Sequence, residues 1–428
     1  MTVKVGLVGT GTVGGGCIDV FNAHTADFKT RYGIDVELVR VCARTSEGAE
    51  AHGVPELYTH DWHNITTDPE IDVVIELIGG TTTAKEVVCE ALENGKHVVT
   101  ANKALLAAFG EEIEALAAEH GCWLALEASV GGGIPIIGPL KHSLTANEIT
   151  SILGIVNGTT NYMLTRMAAE GMSYEDVLAD AQEKGYAEAD PTADVDGLDA
   201  AAKIAILASI AFNTRVTQDQ VHAEGIRSIT TADLAAAADM GYCVKLLASA
   251  SRTEEGIDVR VHPAMVPLDH PLAMVNGVYN AIYVEGDFVG QTMFFGQGAG
   301  SHATASAVMG DVLEIARHVQ AGTAPVQENT YADTLPFVST DDLVTRAYIR
   351  FKVEERPGIL AAMSAVFAEH GVSVHSVIQR GQNEADTAEL VYVTHSAREG
   401  ALRATLDDIA KLDHVLVDPD PTLIRVIK

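Results

Sequence analysis

Residues 3–24 read VKVGLVGTGTVGGGCIDVFNAH, a short apolar strand that runs through a glycine-rich turn into a helix. Gly9, Gly11 and Gly14 fall at G-x-G-x-x-G spacing. In that setting Gly9 permits the tight turn, Gly11 lets the main chain approach a pyrophosphate, and Gly14 allows close helix packing. The free N–H groups at the start of the helix, with Thr10, Thr12 and Val13 beside them, face the phosphates.

The strand-helix alternation continues outward from this turn. VELVRVCA is followed by DVVIELIGG with helix AKEVVCEALENG, then HVVTANK with helix ALLAAFGEEIEALAAEH, then CWLALEA. Elements of these lengths in this order predict an α/β fold built on a Rossmann-type, doubly wound parallel sheet over residues 1–128. Where the second strand ends, an Asp or Glu would accept from the free 2′-hydroxyl of NAD, but the chain has Arg44 and Thr45. A guanidinium suits a 2′-phosphate, which favours NADP, while Glu47 close by keeps NAD open; a solvated loop arginine is the plain alternative. Gly79 and Gly80 follow a sheet strand, where the main chain would lie near the nicotinamide, although a simple Gly-Gly turn fits as well. Lys103 opens a helix at the ligand crevice of such folds. A cation is unfavourable at a helix N-terminus, so a compensating anion or reacting oxygen is expected beside it.

The 428 residues suit two or three domains. With 28 basic against 59 acidic side chains the formal charge is −31, which argues against nucleic acid or an anionic membrane as partner. Any phosphate-bearing ligand therefore needs a local positive site. The opening MTVKVGLVG lacks the marks of a signal peptide, and no apolar run is long enough to span a bilayer. Five cysteines without CxxC spacing suit a reducing cytoplasm, so a cytoplasmic location is expected.

Beyond the last strand, EASVGGGIPII places Glu127 ahead of three consecutive glycines. Its free carbonyls and the Glu127 carboxylate would form an oxygen cage for a hard cation; a bent loop is the simpler reading. NGTTN at 157–161, with Asn157 and Thr159, offers amides and hydroxyls to a ligand or merely caps a helix. GYAEADPTADVDGLDAAAK at 185–203 carries five carboxylates and then Lys203, one helical turn after Asp199, before the uncharged IAILASIAF. A helix apolar on every side is buried, so the pair is either a functional buried ion pair or an ordinary helix pair. DVRVHPAMV and NAIYVEGDFVGQTMFFG alternate in strand period and predict an antiparallel sheet on which subunits could pair. GQGAG then precedes a long helix; Gly298 and Gly300 would bring main chain near the cofactor, and the helix would return to the first domain.

These segments in this order resemble homoserine dehydrogenase, nearly end to end. The most specific matches are GxGTVG, TANK, EASVGGGIPII, NGTTNY, GYAEADPTADVDGLDAAAK and the GAG turn. The resemblance implies NAD(P)H-dependent reduction of L-aspartate 4-semialdehyde to L-homoserine, on the route to threonine, methionine and isoleucine. It implies Lys203 as proton donor, Lys103 at the reacting centre, Glu188 on the substrate ammonium and Asp199 as a substrate-site carboxylate. It further implies that Gly185 and Gly300 line the cofactor or substrate pocket. The 127–134 loop matches a monovalent-cation site, sodium by preference, with ligands at Glu127, Val130, Gly132 and Ile134. Another NADP-linked amino-acid or semialdehyde dehydrogenase would lack these combined segments, and a non-catalytic amino-acid sensor would not need the intact Lys103, Glu188, Asp199 and Lys203.

Residues 129–320 are thus expected to form a substrate and dimerisation domain, and 321–346 a linker. Residues 347–428 read as β-α-β-β-α-β, a ferredoxin-like unit whose ERPGIL turn resembles an ACT domain. By analogy its effector is threonine, near Gly358, Ile359 and the Ser373–Ser376 strand; oligomerisation alone is the other reading. A homodimer or homotetramer is expected.

Overall fold

The computed structural model describes residues 1–325, 330–383, 387–418 and 421–427. Residues 326–329 of the expected linker, and 384–386, 419–420 and 428 of the expected last domain, lie outside the described residues. Two compact units emerge, each discontinuous in sequence: 1–158 with 199–222 and 278–334, and 159–198 with 223–277 and 335–428.

The first unit holds a parallel sheet of β1 (Val3–Val8), β2 (Val36–Cys42), β3 (Tyr58–Thr59), β4 (Val73–Glu76), β5 (His97–Thr100) and β6 (Leu124–Ala125), in the order β3-β2-β1-β4-β5-β6. Strands covered on both faces read as continuous apolar runs, which is what VVIE and HVVT supply. Against one face pack Cys17, Ile18, Phe21 and Phe28 of the Thr12–Tyr32 helix and Ala305, Val308, Met309 and Val312 of the Ser301–Ala321 helix. Against the other pack Val87, Val88 and Leu92 of the Thr83–Glu93 helix and Leu105 and Ile113 of the Lys103–Glu119 helix. Burying such a Leu, Ile or Phe side chain is worth roughly 1.5–3 kcal/mol. Because β1 lies between β2 and β4, the order reverses there, and the crevice beyond the carboxyl ends of β1 and β4 is where such sheets bind ligands.

The same unit carries an antiparallel set, Ile149–Ile155, Tyr279–Gly286 and Gly290–Gln297, with Tyr283 opposite both Leu153 and Met293. Met293 and Phe295 on its outer strand, with Phe288, are exposed.

In the second unit Tyr242–Thr253 and Gly256–Pro267 form a long antiparallel hairpin. Beyond it Val344–Glu354, Val374–Asn383, Thr387–Thr394 and Thr422–Val426, with helices Ile359–Glu369 and Glu399–Ala410, complete the expected β-α-β-β-α-β unit around Ile349, Phe351, Phe367 and Tyr392. Its last strand runs parallel to the hairpin, pairing Ala264 with Arg425. That join is charged: buried Arg425 bonds Glu224 at 2.7 and 2.8 Å and Glu399 at 2.7 Å.

Candidate active site

At the end of β1 the main chain bends at Gly9, whose φ of +110 suits glycine, and a Cβ there would lie 2.6 Å from the Leu77 carbonyl. A Cβ on Gly14 would overlap the Gly9 carbonyl, whereas at Gly11 it would meet nothing within 4 Å. The turn is therefore closed against protein at Gly9 and Gly14 and open at Gly11, the cradle a pyrophosphate fits. The turn after β4 is organised by Glu76, which is fully buried and accepts from Thr100 Oγ1 at 2.7 Å and from the Ile78 and Gly79 amides at 2.9 and 3.3 Å. Burial pushes its carboxyl up against those hydrogen bonds. Asn102 ties the next turn to it: its Nδ2 donates to the Gly80 carbonyl at 2.6 Å, and its Oδ1 accepts the Leu105 amide, capping the helix that Lys103 opens.

The anion expected beside Lys103 is Asp199. Lys103 Nζ lies 3.0 Å from Asp199 Oδ1, while Lys203 Nζ donates to Asp199 Oδ2 at 2.7 Å and to the Val156 carbonyl at 2.6 Å. Asn157 Nδ2 also donates to Oδ2, at 2.9 Å. The Asp199 and Lys203 side chains are 11% and 12% exposed and Lys103 is 40% exposed, so two ammonium groups flank one buried carboxylate, the outer one open to solvent. Burial pushes the Asp199 carboxyl up, but Lys203, Lys103 and the hydrogen bonds of Lys203 and Asn157 together outweigh it and hold the group well below the usual carboxylate range. The pair is thus not an ordinary exposed helix pair. Its helix, Leu198–Phe212, buries Ile204, Ile206, Leu207 and Phe212.

Gly300, with φ +118, starts the Ser301–Ala321 helix, and Ser301 Oγ donates to the Thr12 carbonyl at 2.7 Å, fastening this turn to the glycine-rich one. The 127–134 loop is anchored through the Glu127 side chain. Both Glu127 carboxylate oxygens are taken by main-chain amides: Oε1 accepts from Ile136 and Ile137 at 2.6 and 2.8 Å, and Oε2 from Gly138 at 2.6 Å. These amides fix the carboxylate at the head of the loop that carries Val130, Gly132 and Ile134. No group of three His, Cys, Asp or Glu side chains that could hold a metal occurs among the described residues. Arg44, two residues past β2, forms no ion pair with a described residue.

Thr159, Gly185 and Glu188 belong to the second unit. Thr159 Oγ1 donates to the Tyr186 carbonyl at 2.6 Å, Gly185 takes φ +73, and Glu188 is exposed, its main-chain carbonyl accepting from Gln182 and its carboxylate without a partner among the described residues. Sequence reading missed Glu76, Asn102, Ser301 and the Val156 carbonyl. A carboxylate inside the apolar DVVIELI and an Asn immediately before KALL were the available signals for the first two. A carbonyl has none. No helix of the described residues is long and apolar enough to cross a membrane.

Comparisons with known proteins agree with this geometry. Residues 9–127 match the family model for the NAD-binding domain of homoserine dehydrogenase, 135–313 that for homoserine dehydrogenase itself, and 347–414 that for the ACT domain. A homoserine dehydrogenase of Synechocystis is 46% identical over the whole of both chains. The crystal structure of one from Thiobacillus denitrificans superposes with a TM-score of 0.93 at 40% identity, covering 100% of this chain and 99% of that one. A hyperthermophilic archaeal homoserine dehydrogenase in complex with NADPH, 26% identical, superposes with a TM-score of 0.63 over 74% of this chain and 98% of that one. A glycine turn open for a dinucleotide, two lysines on one buried aspartate and this likeness along the full length place the chain in the homoserine dehydrogenase family, as a member with a C-terminal ACT domain.

Proposed function

We propose that the chain interconverts L-aspartate 4-semialdehyde and L-homoserine with Lys203 as the proton donor, and the observation that carries this is the convergence of Lys203 and Lys103 on Asp199. The turn at Gly9, Gly11 and Gly14 would hold a reduced nicotinamide cofactor, whose chemistry there would be hydride donation to the aldehyde carbon. The carbonyl π pair then becomes a lone pair on oxygen, and a cation held beside that oxygen lowers the barrier. Lys203 gives a proton to the alkoxide and recovers one from solvent; Asp199 keeps it in place and balances both ammonium groups. Lys103, the more exposed of the two, adds positive charge at the same oxygen. Glu188, whose carboxylate is free of described partners, would take the substrate ammonium, and the main-chain N–H groups of Asn157–Thr159 its carboxylate.

Arg44 supports NADP over NAD, because its guanidinium is not engaged by a described residue and follows the second strand, after which such folds meet the adenosine ribose; the archaeal relative solved with NADPH is consistent with this. Glu127 and the carbonyls of Val130, Gly132 and Ile134 suit sodium or another monovalent cation, a hard ion that takes oxygen ligands. The exposed Met293 and Phe295, with Tyr279 stacked on Phe295 at 5.2 Å, support pairing of two subunits through this sheet. For the ACT domain the ligand is threonine, at the Gly358–Ile359 turn, where Gly358 takes φ +97, and the Ser373–Ser376 strand. Following NADPH absorbance with aspartate semialdehyde, and NADP reduction with homoserine, tests the reading. Absence of turnover in both directions would sink it, and turnover indifferent to threonine would remove only the regulatory part.

A further inference from the structure

Asn280 occupies a place that no role so far explains. It lies on the Tyr279–Gly286 strand, is 1% exposed, and neither its Nδ2 nor its Oδ1 has a hydrogen-bond partner among the described residues. A buried amide with donor and acceptor both unmet is unfavourable, and an apolar side chain of the same volume would avoid that cost.

Its surroundings indicate a use. Gly298 lies against the face of the amide, so that a Cβ at Gly298 would overlap the Asn280 side chain, approaching Oδ1 to 2.5 Å. The other side of Gly298 is equally close to protein: a Cβ at Gly132 would lie 2.5 Å from the Gly298 carbonyl. A Cβ on Gly158 would also come to 3.5 Å from Asn280 Oδ1. The amide therefore stands among the cation loop, the 298–300 turn and the strand end whose Val156 carbonyl receives Lys203. The same turn is hooked to the phosphate-binding turn by Ser301 on Thr12, at 2.7 Å.

We propose that Asn280 is a positioning residue for the dinucleotide: its free amide latches the main chain of the Gly298–Gly300 turn in the cofactor-bound state, and so sets where that turn meets the cofactor. The proposal rests on the reading of this site as a nicotinamide dinucleotide site. With the cofactor seated, the amide and the turn reorient so that the unmet donor and acceptor meet the turn's main chain. The stabilisation thus falls on the bound state.

Asn280→Leu keeps the volume and removes both hydrogen-bonding atoms. The expected result is a variant with an unchanged or higher melting temperature, a dissociation constant for NADPH raised about tenfold or more by fluorescence titration, and a KM for aspartate semialdehyde within about twofold of the parent. Gly298→Ala, which pushes the turn off the amide, should weaken NADPH similarly, and the double variant should be no weaker than Gly298→Ala alone, since both act on one turn. Unchanged NADPH affinity in a folded Asn280→Leu, or effects of the two substitutions that simply add, would overturn the proposal. Should the leucine variant not fold, Asn280→Ser is titrated instead with the same two outcomes. Direct titration also separates the questions: NADPH binding without semialdehyde turnover would count against the proposed reaction while leaving the Asn280 test intact.

Discussion

Lys203 and Asp199 stand one turn apart on a buried helix, with Nζ 2.7 Å from Oδ2, and the ammonium reaches on to the Val156 carbonyl at 2.6 Å. Two of its three N–H bonds are therefore spent on fixed acceptors, which leaves one to aim at a substrate oxygen. Replacing the ammonium removes a proton source without touching the apolar faces of the helix. Lys203→Met is expected to lose about 10²–10⁴-fold in kcat, the usual worth of a positioned general acid, with near-ultraviolet circular dichroism unchanged. A kcat within a few fold of the parent would make the residue structural.

Asp199 carries the opposite charge for both lysines. Its native carboxyl is held well below its unfolded value of about 4, so the stabilisation it contributes is present above that pH and lost only as pH falls through the lower native value. It follows that Asp199 stays ionised across the working range and contributes no acid limb to a kcat profile between pH 5 and 9. In Asp199→Asn the two ammonium groups lose their shared anion while the shape is kept. Turnover should fall across that window, measured by initial rates in constant-ionic-strength buffers.

Much of this site was readable from local pattern, because its parts are set by neighbours in the chain. The glycine spacing at 9–14 fixes a turn within six residues, and Asp199 and Lys203 meet because a helix brings i and i+4 together. What pattern could not supply are partners far off in sequence. The Val156 carbonyl lies 47 positions from Lys203 and Asn157 lies 42 from Asp199. Lys103 signalled only that some anion was needed, not which. At Glu127 the partners are again beyond local pattern: the amides of Ile136, Ile137 and Gly138 reach the carboxylate only when the loop folds back. The same limit applies to the fold, since neither compact unit is a continuous stretch of chain.

Asn102 is the connection between the turn after β4 and the helix that presents Lys103. Its Oδ1 caps the helix at Leu105 and its Nδ2 holds the Gly80 carbonyl. Asn102→Ala should cost about 1 kcal/mol of stability as a lost cap, by urea unfolding. It should also lower kcat/KM, because the helix that presents Lys103 loses both its cap and its tie to Gly80.

Arg44 should act on cofactor choice alone. Arg44→Ala removes the cation opposite a 2′-phosphate and is expected to raise KM for NADPH severalfold while leaving KM for NADH unchanged. Equal effects on both cofactors would move the residue to a general role in the adenosine pocket.

His262 gives the second unit a pH dependence whose sign can be worked out. The ring lies on the Gly256–Pro267 strand, 4% exposed, with Nδ1 2.9 Å from the Pro263 carbonyl. Burial, then the Arg425 and Arg260 charges, push its pKa down to about 3, against weaker opposition from the Pro263 carbonyl and Glu224. Between the unfolded value of about 6.5 and the native one, the unfolded chain holds a proton that the native chain does not. Stability therefore falls with falling pH across that window, by at most about 1.4 kcal/mol per pH unit from this one group. His262→Gln keeps an N–H for the Pro263 carbonyl but cannot titrate. It should be less stable than the parent at pH 8, and the gap should close by about 2 kcal/mol on going to pH 5 in paired urea titrations. A gap constant from pH 8 to pH 5 would mean that the native ring takes up its proton as readily as the unfolded one, with the Arg425 and Glu224 network rearranging to admit it.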